Sequence, residues 1–556
     1  MNPYGDTDMS SLVLGSIFMA VLVAVIGTWP VCALLLWAYR RSIDRGMRRS
    51  SAPLGSPATP APQPIGADRG LPPPPPSPPL TIALVEGEDE TPVPMLEVAG
   101  RAAVRLKVVF VAAGLGYGLS ITAVYHYVEN LDWGVIRPVA LTALLAWPIV
   151  PTLIALSPST RRTRWLAWLG YLTGVVVLLL VGGDTSLIEG LALTAVVVVV
   201  PALFVLATGA PALRGAAWLV TPGLIVLTLA AMLLYLPLLY LRYGRAFDHY
   251  AWSQLGYSLG LLGLLAAYGL VLARLYQAKW ASDQTLLILQ WWFVAALWVI
   301  LNLATQGAQA ALLTAAAYGV LLVILFAAAL LPRPDPKPSV RLLLLRTFGS
   351  RERSARLLRD LTQRWRWVGS VELITGTDLA SEILEPDEFL DFIRGKLGLR
   401  FVTDQASLRS RLQELDLLPD RDGRYRVNEL LCHDDTWRPA VEALVPDVDA
   451  VLLDLRGFTG LNTGVVHELE RLVALAPLER VVALVDPSTD RAALQWAMDR
   501  AAALAPESAP LRNGGEVVLR TVFLPPGTRV GLSRLLAAVS RAATLPTGTG
   551  RPAVQA

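Results

Sequence analysis

The chain has 556 residues, of which 54% are hydrophobic and only 17% charged. That composition is too apolar for an ordinary soluble protein and points to several membrane spans. A net charge of +3 with dispersed basic residues leaves no footprint for nucleic acid. Two cysteines, Cys32 and Cys432, and four histidines without HxxxH spacing exclude a disulfide framework and a zinc knuckle, so no metal is expected.

A spanning helix needs ~20 consecutive apolar residues. About nine stretches qualify, at roughly 12–38, 108–128, 138–157, 165–182, 186–209, 216–240, 253–274, 284–305 and 309–331. Lys and Arg are absent before the first and crowd after it (Arg40, Arg41, Arg45, Arg48, Arg49), unlike a cleavable signal. Basic residues resist translocation, so this flank lies inside. Strict alternation then puts Arg161, Arg162, Arg164, Arg214, Arg274, Lys279, Arg333 and Lys337 inside as well. The expected topology has the amino terminus outside and the carboxyl terminus in the cytosol. Arg- and Ala-rich usage fits a bacterial genome, so a bacterial inner membrane is the expected location.

Five regions follow: a first helix with its basic flank (1–49), a linker (50–100), an eight-helix membrane domain (101–335), a cytosolic α/β domain (336–545) and a tail (546–556). The linker contains LPPPPPSPPL at 71–80. Proline runs adopt an extended helix and cannot pack a core, so a semi-rigid spacer is expected. The spans carry little chemistry. Glu189 sits near a span's end, Gln290 and Asn302 suit hydrogen bonds between helices, and Gly114, Gly116 and Gly118 permit close helix approach.

From Ser339 the pattern changes. Strand-length runs at 341–348, 371–375, 449–455, 480–486 and 516–523 alternate with helical periods at 351–367, 381–397, 405–416, 435–445, 465–476 and 490–504. Such alternation predicts a parallel sheet with helices on both faces. Five strands suggest the flavodoxin-like order 2-1-3-4-5, with ligands at the carboxyl ends of strands near the switch point. That rule selects Arg346, Thr347 and Gly349, then Gly376 and Asp378, then Asp454 to Asn462, and Asp486.

The stretch DAVLLDLRGFTGLNTGVVHELERL (449–472) joins a strand to a helix through a glycine-containing loop. Gly457, Gly460 and Gly464 let backbone amides approach an anion, the helix start offers free N–H groups, and Arg456 can add a charge-assisted bond. No Walker Lys-Ser/Thr follows, and plain turn chemistry also explains the glycines. In the helix, Val465, Leu469, Leu472 and Val473 share a face, and Glu468 projects on its flank. Two readings stay open for Glu468. Either it is a snorkelling or Arg-paired edge residue, or it is a desolvated carboxyl suited to developing positive charge.

The strand ending at 453–457, the small polar loop and Gly464-Val-Val-His-Glu468-Leu469 resemble Toll/interleukin-1 receptor (TIR) domains. They are also similar to nucleoside deoxyribosyltransferases of the same flavodoxin-like plan. The resemblance covers some 150–200 residues of the tail and none of the membrane part. It implies a catalytic role for Glu468 in cleaving the N-glycosidic bond of a nucleotide such as NAD, which is then a substrate and not a cofactor. On this reading Arg456, Gly457, Thr459, Asn462 and Asp454 hold the ligand, while Thr347 and Asp378 contact ribose or base. Gly464 and Val465 replace the small Ser or Cys usual before the TIR glutamate, which leaves a non-catalytic relative open.

A second polar cluster, His433-Asp434-Asp435 with Trp437 and Arg438, reads either as helix capping or as a stacking and general acid–base group. It is expected at the amino ends of the strands, because it precedes the strand at 449–455. Asp420, Asp422, Gly423 and Glu429 mimic part of a calcium loop, but Leu418 and neighbouring arginines favour a tight turn. Three functions are compatible with these features: nucleotide cleavage in signalling or defence, a nucleotide- or partner-sensing module coupled to the membrane helices, and a channel or transporter with a regulatory tail. The lipid bilayer and a nucleotide ligand are the expected partners. Association of copies through the membrane helices or the α/β domain is left open.

Overall fold

In the computed structural model the chain is described over residues 30–48, 82–86, 94–129, 136–157, 161–181, 186–194, 274–304, 308–330, 340–346, 351–375, 386–510, 517–524 and 530–545, with a few single positions between. It divides into two units. The first comprises Met1–Ala38, Ala103–Pro332 and Leu384–Pro386, and the second Tyr39–Ala102, Arg333–Ile383 and Asp387–Ala556.

The first unit is helical. Helix α1 covers 30–47 and passes into the second unit at Tyr39. There follow α2 (Pro94–Glu129, in this unit from Ala103), α3 (Ile136–Leu145), α4 (Ile149–Ala155), α5 (Arg161–Val181), α6 (Leu187–Thr194), α7 (Asp283–Ala304) and α8 (Ala308–Leu330). The interior is built on Phe110, Tyr117, Trp147 and Trp292, with Tyr117 edge-on to Trp292 at 6.0 Å. Gly114 lies against Trp292 and Ile149, where a Cβ would collide. Polar bonds tie the helices together: Thr122 Oγ1 lies 3.0 Å from Thr142 Oγ1, and Trp292 Nε1 donates to Thr152 Oγ1 at 3.3 Å. Leu115, Leu119, Leu166, Leu169 and Val177 face outward, an apolar exterior that water does not favour but lipid does.

The nine spans expected from hydropathy are not found. Among the described residues two helices are long and apolar enough to cross a membrane, 94–128 and 162–181, or three if α3 and α4 count as one span bent by 45°. The run expected at 138–157 breaks at 146–148, where Pro148 has no amide to donate. Helix α6 is described over 8 residues, and the apolar stretch Leu312–Leu325 of α8 falls in a shorter class. The run at 216–240 lies outside the described residues, as does most of those at 12–38, 186–209 and 253–274.

The second unit is a parallel sheet with helices on both faces. Its strands are β1 (Ile82–Glu86), β2 (Leu342–Arg346), β3 (Val371–Thr375), β4 (Phe401–Val402), β5 (Val427–Cys432), β6 (Ala450–Asp454), β7 (Val481–Val485) and β8 (Val517–Phe523), in the order β1-β8-β7-β6-β2-β3-β5-β4. The five-stranded sheet in order 2-1-3-4-5 is therefore corrected to seven strands between 342 and 523, plus β1 from the linker. Strands β4 and β5 extend the edge beyond β3, and β1 extends the edge beyond β8. The proline run 71–80 lies outside the described residues.

The helices of this unit are α9 (Arg351–Trp365), α10 (Pro386–Ile393), α11 (Gln405–Gln413), α12 (Trp437–Leu444), α13 (Thr463–Leu475), α14 (Arg491–Leu504) and α15 (Val530–Thr544). Strand side chains alternate between two cores. Leu343, Leu345, Val451 and Leu453 pack under α12, α13 and α14, whereas Leu342, Leu344, Leu452 and Val482 pack under α9 and α15. Strands buried on both faces read as unbroken apolar runs, which is why β2, β6 and β7 stand out in the sequence. Strand β2 lies between β3 and β6, so chain progression reverses there, and the carboxyl ends of β2 and β6 define the switch point.

Candidate functional site

Arg346 and Asp454 end β2 and β6 and are register partners. Asp454 is followed two residues later by Arg456, which begins the turn that leaves β6. The Arg456 fork closes on Asp454, with Nε at 2.8 Å and Nη2 at 2.7 Å. Both side chains are buried. The guanidinium of Arg456, expected to bind phosphate, is engaged here by a carboxylate of its own loop.

Gly457 turns the chain with φ +76°, a left-handed conformation in which L side chains are strained. Asn462 Oδ1 then accepts the Thr459 amide at 2.7 Å and the Thr459 hydroxyl at 3.2 Å. These two residues shape the loop, and Thr459 is exposed at its tip. Asp486, after β7, accepts from Ser488 N at 2.9 Å and from the Ser488 hydroxyl, and pairs with Arg353 Nη1 at 3.4 Å. Thr489 Oγ1 donates to Leu455 O at 2.9 Å, and Asp490 N donates to Phe458 O at 3.0 Å, clipping the loops after β6 and β7 together. Asp454, Arg456, Asn462 and Asp486 thus build a rigid rim.

Glu468 is different. It lies on α13 among Val465, Leu469 and Leu472, is 3% exposed, and its Oε2 has no hydrogen-bond partner among the described residues. Burial pushes its pKa up to about 8, against the opposing pull of the Arg346 charge. A buried, unsatisfied carboxyl oxygen is costly, and such groups call for a functional or structural reason. The snorkelling reading is overturned, since this side chain does not reach water. Arg346, itself buried at the end of β2, is the cation whose field reaches it. Thr347 and Asp378, expected beside this point, lie outside the described residues.

His433 and Trp437 sit elsewhere than expected. Because 427–432 is a strand, His433 follows β5 and belongs to the carboxyl rim, not to the amino ends. Its Nδ1 lies 2.6 Å from Gly46 O, and its ring stacks on Phe401 at 5.0 Å. Trp437 meets His467 edge-on at 5.6 Å, touches the position of Gly464, and carries the Arg438 guanidinium over its ring at 5.2 Å. Both rings are therefore packing elements. The pKa of His467 is lowered, first by burial and then by Arg438 and Arg471.

The calcium-like loop is a turn at the opposite end of β5. Asp420 pairs with Arg426 at 2.9 Å, and Gly423 N donates to Asp420 O at 2.9 Å. Among the described residues no group of three or more His, Cys, Asp or Glu could hold a metal ion. Arg353 was missed in the sequence. Its only signal is an arginine in the first turn after the β2 loop, where a helix start meets the rim.

The site is a switch-point rim with one buried, protonatable carboxyl beside an arginine. In comparisons with family models, curated proteins and solved structures, the chain matches none.

Proposed function

We propose that the α/β unit is a TIR-like nucleotide-binding domain, anchored by the apolar helices of the first unit in a bacterial inner membrane with the sheet on the cytosolic side. Its chemistry is cleavage of an N-glycosidic bond in a cationic nucleotide such as NAD. The observation that carries this reading is Glu468: a buried carboxyl whose Oε2 has no partner among the described residues, one turn into the helix that follows the switch-point strand. In the free protein burial holds it protonated at neutral pH. A positively charged nicotinamide riboside beside it favours the ionised form, so binding expels the proton. The carboxylate then faces the anomeric carbon as the C–N bond breaks and its electron pair leaves with neutral nicotinamide. Water attacks the resulting oxocarbenium-like centre and gives up a proton to Glu468, yielding ADP-ribose. Arg346 lies on the same rim and suits the pyrophosphate charge.

A second reading, nucleotide sensing without turnover, is favoured by the same protonation. A neutral carboxyl donates a hydrogen bond to a ribose hydroxyl instead of stabilising a cation. Purified full-length protein incubated with NAD and with nucleosides separates the two, with release of the free base as readout. Release abolished in Glu468→Gln supports cleavage. Tight binding without product supports sensing, and full turnover by Glu468→Ala removes Glu468 from the mechanism.

A further inference from the structure

Helices α9 and α13 follow the neighbouring strands β2 and β6 and cover opposite faces of the sheet. Their starts therefore flank the crevice in which sheets of this kind hold ligands. Arg353, in the first turn of α9, is fixed there by the loops around it. Its carbonyl accepts a bond from Arg456 Nη2 at 3.3 Å. Its Nη1 donates to Ser488 Oγ at 3.1 Å and meets Asp486 Oδ2 at 3.4 Å. Asp486 is itself buried and held by the Ser488 amide at 2.9 Å. These contacts tie the start of α9 to the loops after β6 and β7.

The fork of Arg353 is nonetheless unfilled. Arg456 grips Asp454 through Nε and Nη2, the edge that suits side-on pairing. Arg353 spends only Nη1, and its Nε and Nη2 donate to nothing among the described residues. Its side chain is 42% exposed, whereas Arg346 and Arg456 are buried. The Arg353 Nη2 lies 3.7 Å from the place a Cβ would take at Gly457, so the glycine keeps the space beside that edge free of a side chain. The nearest carboxylates are already engaged, Asp454 by Arg456 and Asp486 Oδ1 by the Ser488 amide and hydroxyl. A guanidinium fixed in place with its two-donor edge vacant matches two oxygens of a phosphate.

We propose that Arg353 is a specificity-determining residue that reads a phosphate on the ligand. Its Nε and Nη2 take two phosphate oxygens side-on while Nη1 keeps its hold on Ser488, so the site selects nucleoside 5′-phosphates over nucleosides. The proposal rests on the nucleotide-binding half of the function proposed above and is independent of Glu468 chemistry.

The test compares nicotinamide riboside, its 5′-phosphate and NAD as ligands of full-length protein in mild detergent. Calorimetry gives the affinities, and release of the free base is read in the same samples. Wild type is expected to bind the 5′-phosphate about 10-fold or more tightly than the riboside, the scale of a charge-assisted contact. Arg353→Met is expected to abolish that advantage and to leave riboside affinity unchanged, which a merely structural role would not do. Arg353→Lys keeps the charge without the fork and is expected to restore only part of it. Equal affinity of wild type for the riboside and its 5′-phosphate overturns the proposal, and that comparison needs no variant. A loss in Arg353→Met that is the same for both ligands also overturns it. Phosphate preference without base release leaves the role of Arg353 standing and removes cleavage by Glu468. Base release at the same kcat/KM from riboside and 5′-phosphate does the reverse. Binding of none of the three overturns both.

Discussion

Replacing Glu468 by Gln probes the buried carboxyl through stability, without any ligand. Burial raises its pKa from the ordinary 4.5 to about 8. The native chain therefore holds a proton that the unfolded chain releases. Stability from this proton is complete below about pH 4.5 and is lost as pH rises through about 8. At 1.36 kcal/mol per pH unit the gap between the two values corresponds to roughly 5 kcal/mol, a large share of the 5–15 kcal/mol typical of a domain. Glu388 and Asp420 are also raised by burial, but only to about 6, so their titration is nearly finished by pH 7. The window from pH 7 to 8 belongs chiefly to Glu468, and the wild-type loss across it is about 1 kcal/mol. Gln keeps the shape and is neutral throughout. Urea titrations of full-length protein in mild detergent, read by proteolysis of the unfolded α/β unit, should show a midpoint that falls from pH 7 to 8 in wild type and stays level in Glu468→Gln. Parallel decline in the two proteins would refute the assignment of this proton to Glu468.

Other substitutions follow from the same geometry. Gly457→Ala forces an L side chain into φ +76° and should cost about 1–2 kcal/mol in the same urea assay; an unchanged midpoint would mean that the loop relaxes. Arg341 holds fully buried Glu372 through bonds of 2.6 and 3.0 Å. Arg341→Met should destabilise by roughly 3–5 kcal/mol, and Arg341→Met with Glu372→Leu should recover most of it, because the stranded charge dominates the loss. Gly46→Val should undock the end of α1 from Phe401. Limited trypsin digestion should then cleave after Arg45 or Arg48 faster than in wild type, while equal rates would show that the contact does not hold that segment.

How far the fold could be read from the sequence depended on local chemistry. Strands β2, β6 and β7 are apolar on both faces and stand out. Strand β5 was not legible because Asn428 and Glu429 interrupt its run. Asn428 is there to bond Asp416, accepting its amide at 2.8 Å and donating to its carbonyl at 3.1 Å. Strand β4 has 2 residues, too few for any period, and β1 sits in a proline-rich stretch that composition marks as spacer. Hydropathy could count apolar length in the first unit but not helix continuity, so the break before α4 was invisible. At the site, Glu468 was legible as an acid on a leucine-lined helix, whereas its full burial and the approach of the Arg346 charge depend on tertiary packing. The engagement of Arg456 by Asp454, two residues earlier, was not anticipated. That i, i+2 spacing was present in the sequence all along.

The most direct test of the account is the number of protons released when full-length protein binds NAD at pH 7, measured by calorimetry in buffers of differing ionisation enthalpy. A buried carboxyl that must ionise against a cationic ligand predicts release close to one proton per site in wild type and none in Glu468→Gln. Binding of equal strength with no proton released by wild type would contradict it.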